Sequence, residues 1–359
     1  MLALPPGSTI GILGGGQLAR MLALAAARLG LKCHIFAPEH DSPAFQVSAA
    51  HLVADYSDRP ALLEFAAECD VITYEFENVP VEAVQFLEKL KPVRPGSKAL
   101  EVAQDRIKEK TLARDLGALT AEFGEVESFA DLAQAAKDVG FPAILKTTRM
   151  GYDGKGQVRV AATADLMPAL AAMKGQNAIL ESFVRFEKEI SVIGARGLDG
   201  QFTAYDVPEN LHHNHILNTS TVPANIDDTL SAEAVYVTAR IAEALDYVGV
   251  LAVEFFVGDD VIYVNEIAPR VHNSGHWTMD ACVVSQFEQH IRCVAGWPLG
   301  STQRHSDVVM TNLLGDDVAA WAGLAATPQV GLHLYGKVQI KHGRKMGHFN
   351  KLQPKLNIR

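Results

Sequence analysis

The sequence predicts a mixed fold, α/β at its amino-terminal end and α+β beyond it, on three observations. An apolar run at residues 9–13 leads into Gly14, Gly15 and Gly16 and then an amphipathic stretch, the strand, turn and helix that open a parallel sheet. From Pro142 onward, short apolar runs typical of strands dominate. Beyond Trp297-Pro298-Leu299-Gly300 the chain reads as short strands separated by Gly and Pro.

Taken in order, residues 17–29 form the first predicted helix, ended by Gly30, and residues 31–36 the second strand. Residues 51–54 and 70–73 read as short buried strands with a helix at 59–68 between them, an alternation that implies a parallel sheet covered by helices. The breaker-rich stretch Lys91-Pro92-Val93-Arg94-Pro95-Gly96 marks a domain boundary, and a single helix capped by Ser97 is expected over 97–116. Strands follow at 143–146, 157–160, 178–182, 189–195 and 201–206, then a helix at 231–245. Residues 251–257 and 261–267 pair as a hairpin around the turn Gly258, Asp259 and Asp260.

With 48% apolar residues and 21% charged ones, the 359-residue chain can bury a core divided among two or three domains. A formal net charge of −10 argues against a non-specific grip on nucleic acid, although a local basic cluster can still hold a small phosphate. Cys33, Cys69, Cys282 and Cys293 show no paired spacing and read as reduced core residues. No apolar run nears the roughly 18 residues that span a bilayer, and residues 1–7 lack the makings of a signal peptide, so a cytoplasmic protein with no membrane partner is expected.

Two glycine loops compete for a phosphate. Gly14 to Ala19 satisfies G-x-G-x-x-A between strand and helix, where free backbone amides can bind an anion, and Glu39 lies where a ribose-binding acid of a nicotinamide enzyme would. The chain does not continue as a second mononucleotide-binding half, so the oxidoreductase becomes the runner-up. The second loop, Gly151, Tyr152, Asp153, Gly154, Lys155, Gly156 and Gln157, lies between two strands just after Lys146. It does not fit the G-x-x-x-x-G-K-[ST] phosphate loop, and suits a hairpin lid over a triphosphate, or a hairpin turn with no ligand. Downstream, Glu254 and Glu266 sit within apolar strands, where carboxylates need partners. Either they face a shared Mg²⁺ with Asn265 beside them, or they pair structurally with Lys146 or Arg270. Glu181 and Glu189 flank a further strand pair and are either ribose acceptors or surface charges. The basic tail of Lys337, Lys341, His342, Arg344, Lys345 and His348 is a solvated charge run or, in so acidic a chain, a substrate-phosphate site.

The strings GYDGKGQ at 151–157, Glu181 to Val184, TYEFEN at 73–78 and EIAPRVHNSGHW at 266–277 resemble the ATP-grasp superfamily and, within it, the 5-(carboxyamino)imidazole ribonucleotide synthase family. The resemblance implies an ATP-grasp fold with a Rossmann-like parallel-sheet domain over 1–100 and an ATP-grasp domain over 101–300, whose lid subdomain covers about 120–185. A small β-rich domain over 301–359 completes the substrate site. It implies an ATP-dependent ligase that carboxylates 5-aminoimidazole ribonucleotide with bicarbonate through carboxyphosphate in purine biosynthesis. ATP and Mg²⁺, with Mn²⁺ able to replace it, and a homodimer are implied with it. A non-catalytic nucleotide sensor of the same fold is the remaining alternative.

Carried onto this sequence, the resemblance assigns ATP to Arg106, Lys146, the loop Gly151, Tyr152, Asp153, Gly154, Lys155, Gly156 and Gln157, and Glu181, Ser182, Phe183, Val184, Glu189, His212, Asn265 and Glu266. Glu254 and Glu266 hold the metal. Gln17, Glu75, Tyr152, Asp153, Arg270, His272, Asn273, Ser274, Lys337, Arg344 and Lys345 line the ribonucleotide and bicarbonate pocket. Asp153 is the implied general base, and Arg270, His272 and Lys337 complete the catalytic set.

Overall fold

The computed structural model describes residues 3–149 and 156–355; Gly151, Tyr152, Asp153, Gly154 and Lys155 of the second glycine loop lie outside the described residues. The chain opens with β1 (Thr9–Leu13), α1 (Gln17–Arg28), β2 (Lys32–Ala37), β3 (Ala50–Val53), α2 (Arg59–Ala67), β4 (Val71–Tyr74) and α3 (Val81–Glu88). Its sheet runs β3-β2-β1-β4 with every pair parallel. Ile10, Ile12 and Ile72 are fully buried, as continuous apolar runs covered on both faces demand.

The single helix expected over 97–116 is broken into α4 (Ser97–Ala103) and α5 (Arg106–Asp115). Asp105 accepts the amides of Ile107 and Lys108, so its side chain caps a new helix instead of continuing the old one. Ser97 does not cap α4 either; its amide and hydroxyl both donate to Glu88.

Next come β5 (Phe123–Val126), α6 (Phe129–Val139), β6 (Ala143–Thr147), β7 (Gln157–Val160), α7 (Leu166–Ala172) and β8 (Ala178–Ser182). They make an antiparallel sheet in the order β5-β8-β6-β7 with its own core of Val126, Leu132, Leu145 and Leu180. Beyond it lie β9 (Lys188–Arg196), β10 (Phe202–Ala204), β11 (Glu209–His213), β12 (Ile216–Val222), α8 (Asp228–Ala244), β13 (Gly249–Gly258) and β14 (Val261–Ala268). Helix α8 starts before residue 231 because Asp227 caps it through the amide of Thr229. The β13–β14 turn is made by Asp259 and Asp260, both at positive φ.

The chain ends with α9 (Thr278–Ala281), α10 (Gln286–Ala295), β15 (Ser306–Leu314), α11 (Trp321–Ala325), β16 (Val330–Leu334) and β17 (Lys345–Pro354). β15 and β17 are nine and ten residues long, not short. They extend the central antiparallel sheet, which runs β14-β13-β9-β11-β12-β15-β17-β16. The Trp297 indole donates to the Leu4 carbonyl, and the Gln46 amide to the Gly336 carbonyl, so the amino-terminal part of the chain is tied directly to the carboxyl-terminal part. No helix among the described residues is long and apolar enough to cross a membrane.

Candidate functional site

Helix α5 turns a charged stripe inward. Glu109, Lys110 and Ala113 are buried, and Arg106 at their head completes an i, i+3, i+4, i+7 face. Lys110 Nζ lies 3.5 Å from Glu181 Oε2, and Lys146 Nζ donates to the same oxygen at 2.7 Å. Burial would raise the Glu181 pKa, but Lys110 and Lys146 overcome it and hold the carboxylate ionised. Lys146 is shifted down by burial against the pull of Glu181. Glu181 Oε1 is buried without a partner among the described residues, an acceptor left over for a further donor. Ser182 accepts the Glu122 amide, Arg159 lies over the half-exposed Phe183 ring, and Gln157 pairs with Lys146 across β6 and β7.

Glu254 and Glu266 are directly opposed across β13 and β14, as the sequence places them. The register slips between Glu254 and Phe255, so Asn265 is the extra residue of a bulge, and both Asn265 and Glu266 are half-buried on the face opposite Val264 and Ile267. Like charges in such a pair repel. Burial and then Glu266 push the Glu254 pKa up to about 7. Glu109, beneath the same hairpin, accepts the Ile267 amide; burial and then Glu266 push its pKa up to about 8. Arg106 Nη1 reaches Glu266 Oε2 at 3.8 Å. On the neighbouring strands Glu189 lies 2.5 Å from His212 Nδ1; burial opposes protonation of His212, but Glu189 outweighs it and the pKa rises.

Arg270 was expected to be aimed at a ligand; Glu77 grips it from behind. Glu77 accepts from Arg270 Nε and, at 2.9 Å, from Nη2, while Nη1 donates to the Val271 carbonyl. Burial works against both charges, yet the pair raises the Arg270 pKa and lowers that of Glu77. Three of the five guanidinium donors are thereby taken, and two remain outside these contacts. His272 Nε2 lies 3.4 Å from Glu254 Oε1, and burial with Arg270 nearby holds the ring neutral. Asn273 exchanges both amide bonds with Asn312, and Ser274 bonds the His272 ring at 2.8 Å.

The glycine loop after β1 holds an anion that belongs to the protein. Glu75 accepts from the amides of Gly16 and, at 2.8 Å, Ala19, filling the start of α1. A Cβ on Gly14 or Gly16 would come within 2.5 or 2.6 Å of that side chain, which explains the glycines without an external phosphate. Gln17 stands half-buried at the first turn of the same helix. In the connection between β16 and β17, Lys337 Nζ donates to the Lys345 carbonyl and Arg344 to the Gln339 carbonyl. Burial and then Arg344 push the Lys337 pKa down to about 8. His348, read with that basic tail, is instead fully buried under Tyr335, whose hydroxyl it meets at 2.8 Å.

The structure therefore brings together residues from every part of the chain. Glu77, Gln104, Arg106, Glu109, Thr148 and Glu266 line one cavity, and Asn78, Gln104 and Arg149 join it to a second of about 380 Å³. Sequence reasoning missed Glu77, Glu109 and Lys110. The signal for the last two was the helical spacing of charges in α5, which reads as a solvated face unless its apolar stripe is noticed to be missing.

A two-lysine cradle facing a carboxylate hairpin between two antiparallel sheets is the arrangement of an ATP-grasp protein, and residues 111–287 match the model of the ATP-grasp domain. Residues 8–104 match the ribonucleotide synthetase preATP-grasp domain, and 308–358 the phosphoribosylaminoimidazole carboxylase C-terminal domain. The chain is 51% identical to N5-carboxyaminoimidazole ribonucleotide synthase of Brucella melitensis, over 98% of each. Among solved structures it is similar to an ADP complex of N5-carboxyaminoimidazole ribonucleotide synthetase, with TM-score 0.95 and 43% identity over 100% of this chain and 96% of the other. The Aspergillus clavatus N5-carboxyaminoimidazole synthase in complex with ADP and 5-aminoimidazole ribonucleotide matches with TM-score 0.90 and 31% identity, over 97% and 94%. The chain belongs to the N5-carboxyaminoimidazole ribonucleotide synthase family.

Proposed function

We propose that this chain uses ATP and bicarbonate to carboxylate the exocyclic amine of 5-aminoimidazole ribonucleotide, giving N5-carboxyaminoimidazole ribonucleotide, ADP and phosphate in purine biosynthesis. One observation carries the reading: the Lys146, Lys110 and Glu181 cradle faces the opposed Glu254 and Glu266 beside Arg270 and His272, in a chain that matches family members over nearly its full length.

Bicarbonate is a poor electrophile. Attack of one of its oxygens on the γ-phosphorus breaks the bond to ADP and leaves carboxyphosphate, in which phosphate is a leaving group. Lys146, Lys110 and Arg106 place positive charge where phosphate oxygens accumulate negative charge, and Glu181 Oε1, unpartnered among the described residues, accepts from the nucleotide. Glu254 and Glu266 suit Mg²⁺ or Mn²⁺: their repulsion and the raised Glu254 pKa are what a bound cation relieves. Among the described residues no group of three or more His, Cys, Asp or Glu side chains forms a metal cage, and Glu254 and Glu266 are the pair that would hold the ion. The metal supplies charge neutralisation at the transferring phosphoryl group.

Arg270, braced by Glu77, presents its remaining N–H groups to bicarbonate or carboxyphosphate oxygens, and Lys337, Arg344 and Lys345 attract the ribonucleotide phosphate. The amine nitrogen then bonds the carboxyl carbon, phosphate departs, and the amine proton passes to Asp153. That base, like Tyr152, belongs to the stretch outside the described residues. Gln17, Glu75, Asn273 and Ser274 position the ribonucleotide. The enzyme works as a cytoplasmic homodimer, and its domains divide near residues 100 and 300, in keeping with the matched segments.

The test is phosphate release from ATP with bicarbonate, with and without aminoimidazole ribonucleotide, while ADP and the carboxylated product are followed. Stimulation by a different amine, with none by this one, reassigns the substrate.

A further inference from the structure

Beside the carboxylates, on the same face of the central sheet, lies a file of four uncharged polar side chains. Ser191 and Ser274 are 0% exposed, Ser220 0% and Asn210 5%. Burying so many hydroxyl and amide groups is unfavourable unless each is bonded, and each is. Ser220 Oγ donates to Asn210 Oδ1 at 2.7 Å, Asn210 Nδ2 donates to Ser191 Oγ at 3.0 Å, and Ser191 Oγ meets Ser274 Oγ at 2.7 Å. Ser274 Oγ lies 2.8 Å from His272 Nδ1.

The register explains why the file ends where it does. Ser191 on β9 is opposite Glu254 on β13, and Asn210 on β11 is opposite both Glu189 on β9 and Ser220 on β12. Directly opposed residues project to the same side of a sheet, so the file and the carboxylates share one face.

The direction of the file follows from its ends. The Ser274 backbone amide donates to His272 Nδ1 at 3.3 Å, so that nitrogen is an acceptor. The Ser274 hydroxyl then also donates to Nδ1, Ser191 donates to Ser274, and the Asn210 amide supplies the bond that Ser191 accepts. Every hydrogen points towards the imidazole. With Nδ1 an acceptor, a neutral ring carries its proton on Nε2, the atom 3.4 Å from Glu254 Oε1. Gln286 fixes the backbone at the same residue, accepting from the His272 amide at 3.0 Å and donating to its carbonyl at 2.7 Å.

We propose that Ser220, Asn210, Ser191 and Ser274 are positioning residues that hold His272 in the Nε2–H tautomer, which turns its N–H towards Oε1 of Glu254, 3.4 Å away, and leaves Oε2 to the ligand. The assignment of His272 and Glu254 to the site rests on the function proposed above; the tautomer does not. In the absence of substrate, orientation of a ligating carboxylate by an outer hydrogen bond is the general device, and losing such a bond lowers activity by about 10- to 100-fold.

The test is nitrogen-detected NMR of the full chain labelled with ¹⁵N-histidine, with the His272 ring signals identified by their loss in His272→Gln. The wild type should show an unprotonated Nδ1 and a protonated Nε2. Ser191→Ala should give a mixed tautomer and a kcat about tenfold lower, with the KM for ATP and for the ribonucleotide unchanged. Ser191→Thr, which keeps the hydroxyl, should restore both signals and kcat. A wild-type ring protonated on Nδ1, or averaged between tautomers, overturns the proposal without any variant. So does a folded Ser191→Ala protein with wild-type ring signals. A failure of carboxylation alone, with the ring signals as expected, counts against the proposed reaction instead.

Discussion

Replacing Glu77 with glutamine tests whether the brace behind Arg270 carries stability. The side chains of Arg270 and Glu77 are only 15% and 22% exposed, and the carboxylate accepts two guanidinium N–H bonds. Opposite charges about 4 Å apart attract by about 4 kcal/mol at an effective dielectric of about 20. Breaking a fully buried pair costs about 3–5 kcal/mol, because the other charge stays desolvated. Partial exposure and the oxygen that glutamine keeps reduce this to about 2–3 kcal/mol. If the 359 residues unfold together, with about 2.1 cal/mol/K of unfolding entropy each, the Glu77→Gln variant should melt about 3–4 °C lower at pH 7.

The pH dependence supplies an internal control. Glu77 has a lowered pKa in the folded chain, so its stabilisation is present above the unfolded carboxylate value of about 4.3 and lost as pH falls through the lower folded value. The gap between wild type and variant in calorimetry should therefore close on acidification, as far down as both stay folded. Equal melting temperatures at pH 7, or a gap that widens in acid, would falsify the argument.

Four further outcomes are expected. Glu266→Gln should weaken ADP binding in Mg²⁺ but not in EDTA; titration calorimetry giving unchanged Mg²⁺-dependent affinity would remove Glu266 from the metal. Lys110→Met leaves the buried Glu181 with Lys146 alone and should cost at least about 1.4 kcal/mol, or tenfold, in ADP affinity, so wild-type binding would reduce Lys110 to a packing role. Asp153→Asn should keep nucleotide and ribonucleotide binding while carboxylation falls by about 10²- to 10⁴-fold, and wild-type turnover would rule Asp153 out as the base. Lys337 loses its charge as pH rises through about 8, so the KM for the ribonucleotide should climb from pH 7 to 9 in the wild type and stay high and flat in Lys337→Met. Parallel profiles in the two proteins would dissociate Lys337 from the phosphate.

What the sequence disclosed follows the physics of each element. β1 and β4 were legible because covered parallel strands are continuously apolar. Glu254 and Glu266 were legible because a carboxylate in an apolar strand announces an unmet partner. Their facing was also legible, from the short turn between them; the bulge that turns Asn265 to the same side was not, since one extra residue leaves no mark on composition. The break before Arg106 was hidden by good helix formers on both sides, although Asp105 is a strong cap. Glu77 and Arg270 lie 193 positions apart, and nothing local to either reveals the other. The join of β15 to β12 is likewise a long-range pairing, so the carboxyl-terminal strands looked separate in sequence.

The plugged glycine turn has a practical consequence. Its amides are engaged by a resident counter-ion, so a compound imitating a dinucleotide's pyrophosphate must first evict a carboxylate from a closed socket. Glu75 and Glu77 are separated by one residue, and the first is anchored to α1 while the second clasps Arg270. A wedge that dislodged Glu75 would therefore pull on a two-pronged rivet, loosening the guanidinium through the short stretch of chain that joins the two carboxylates. Inhibitors built on that leverage would have no need to compete with ATP.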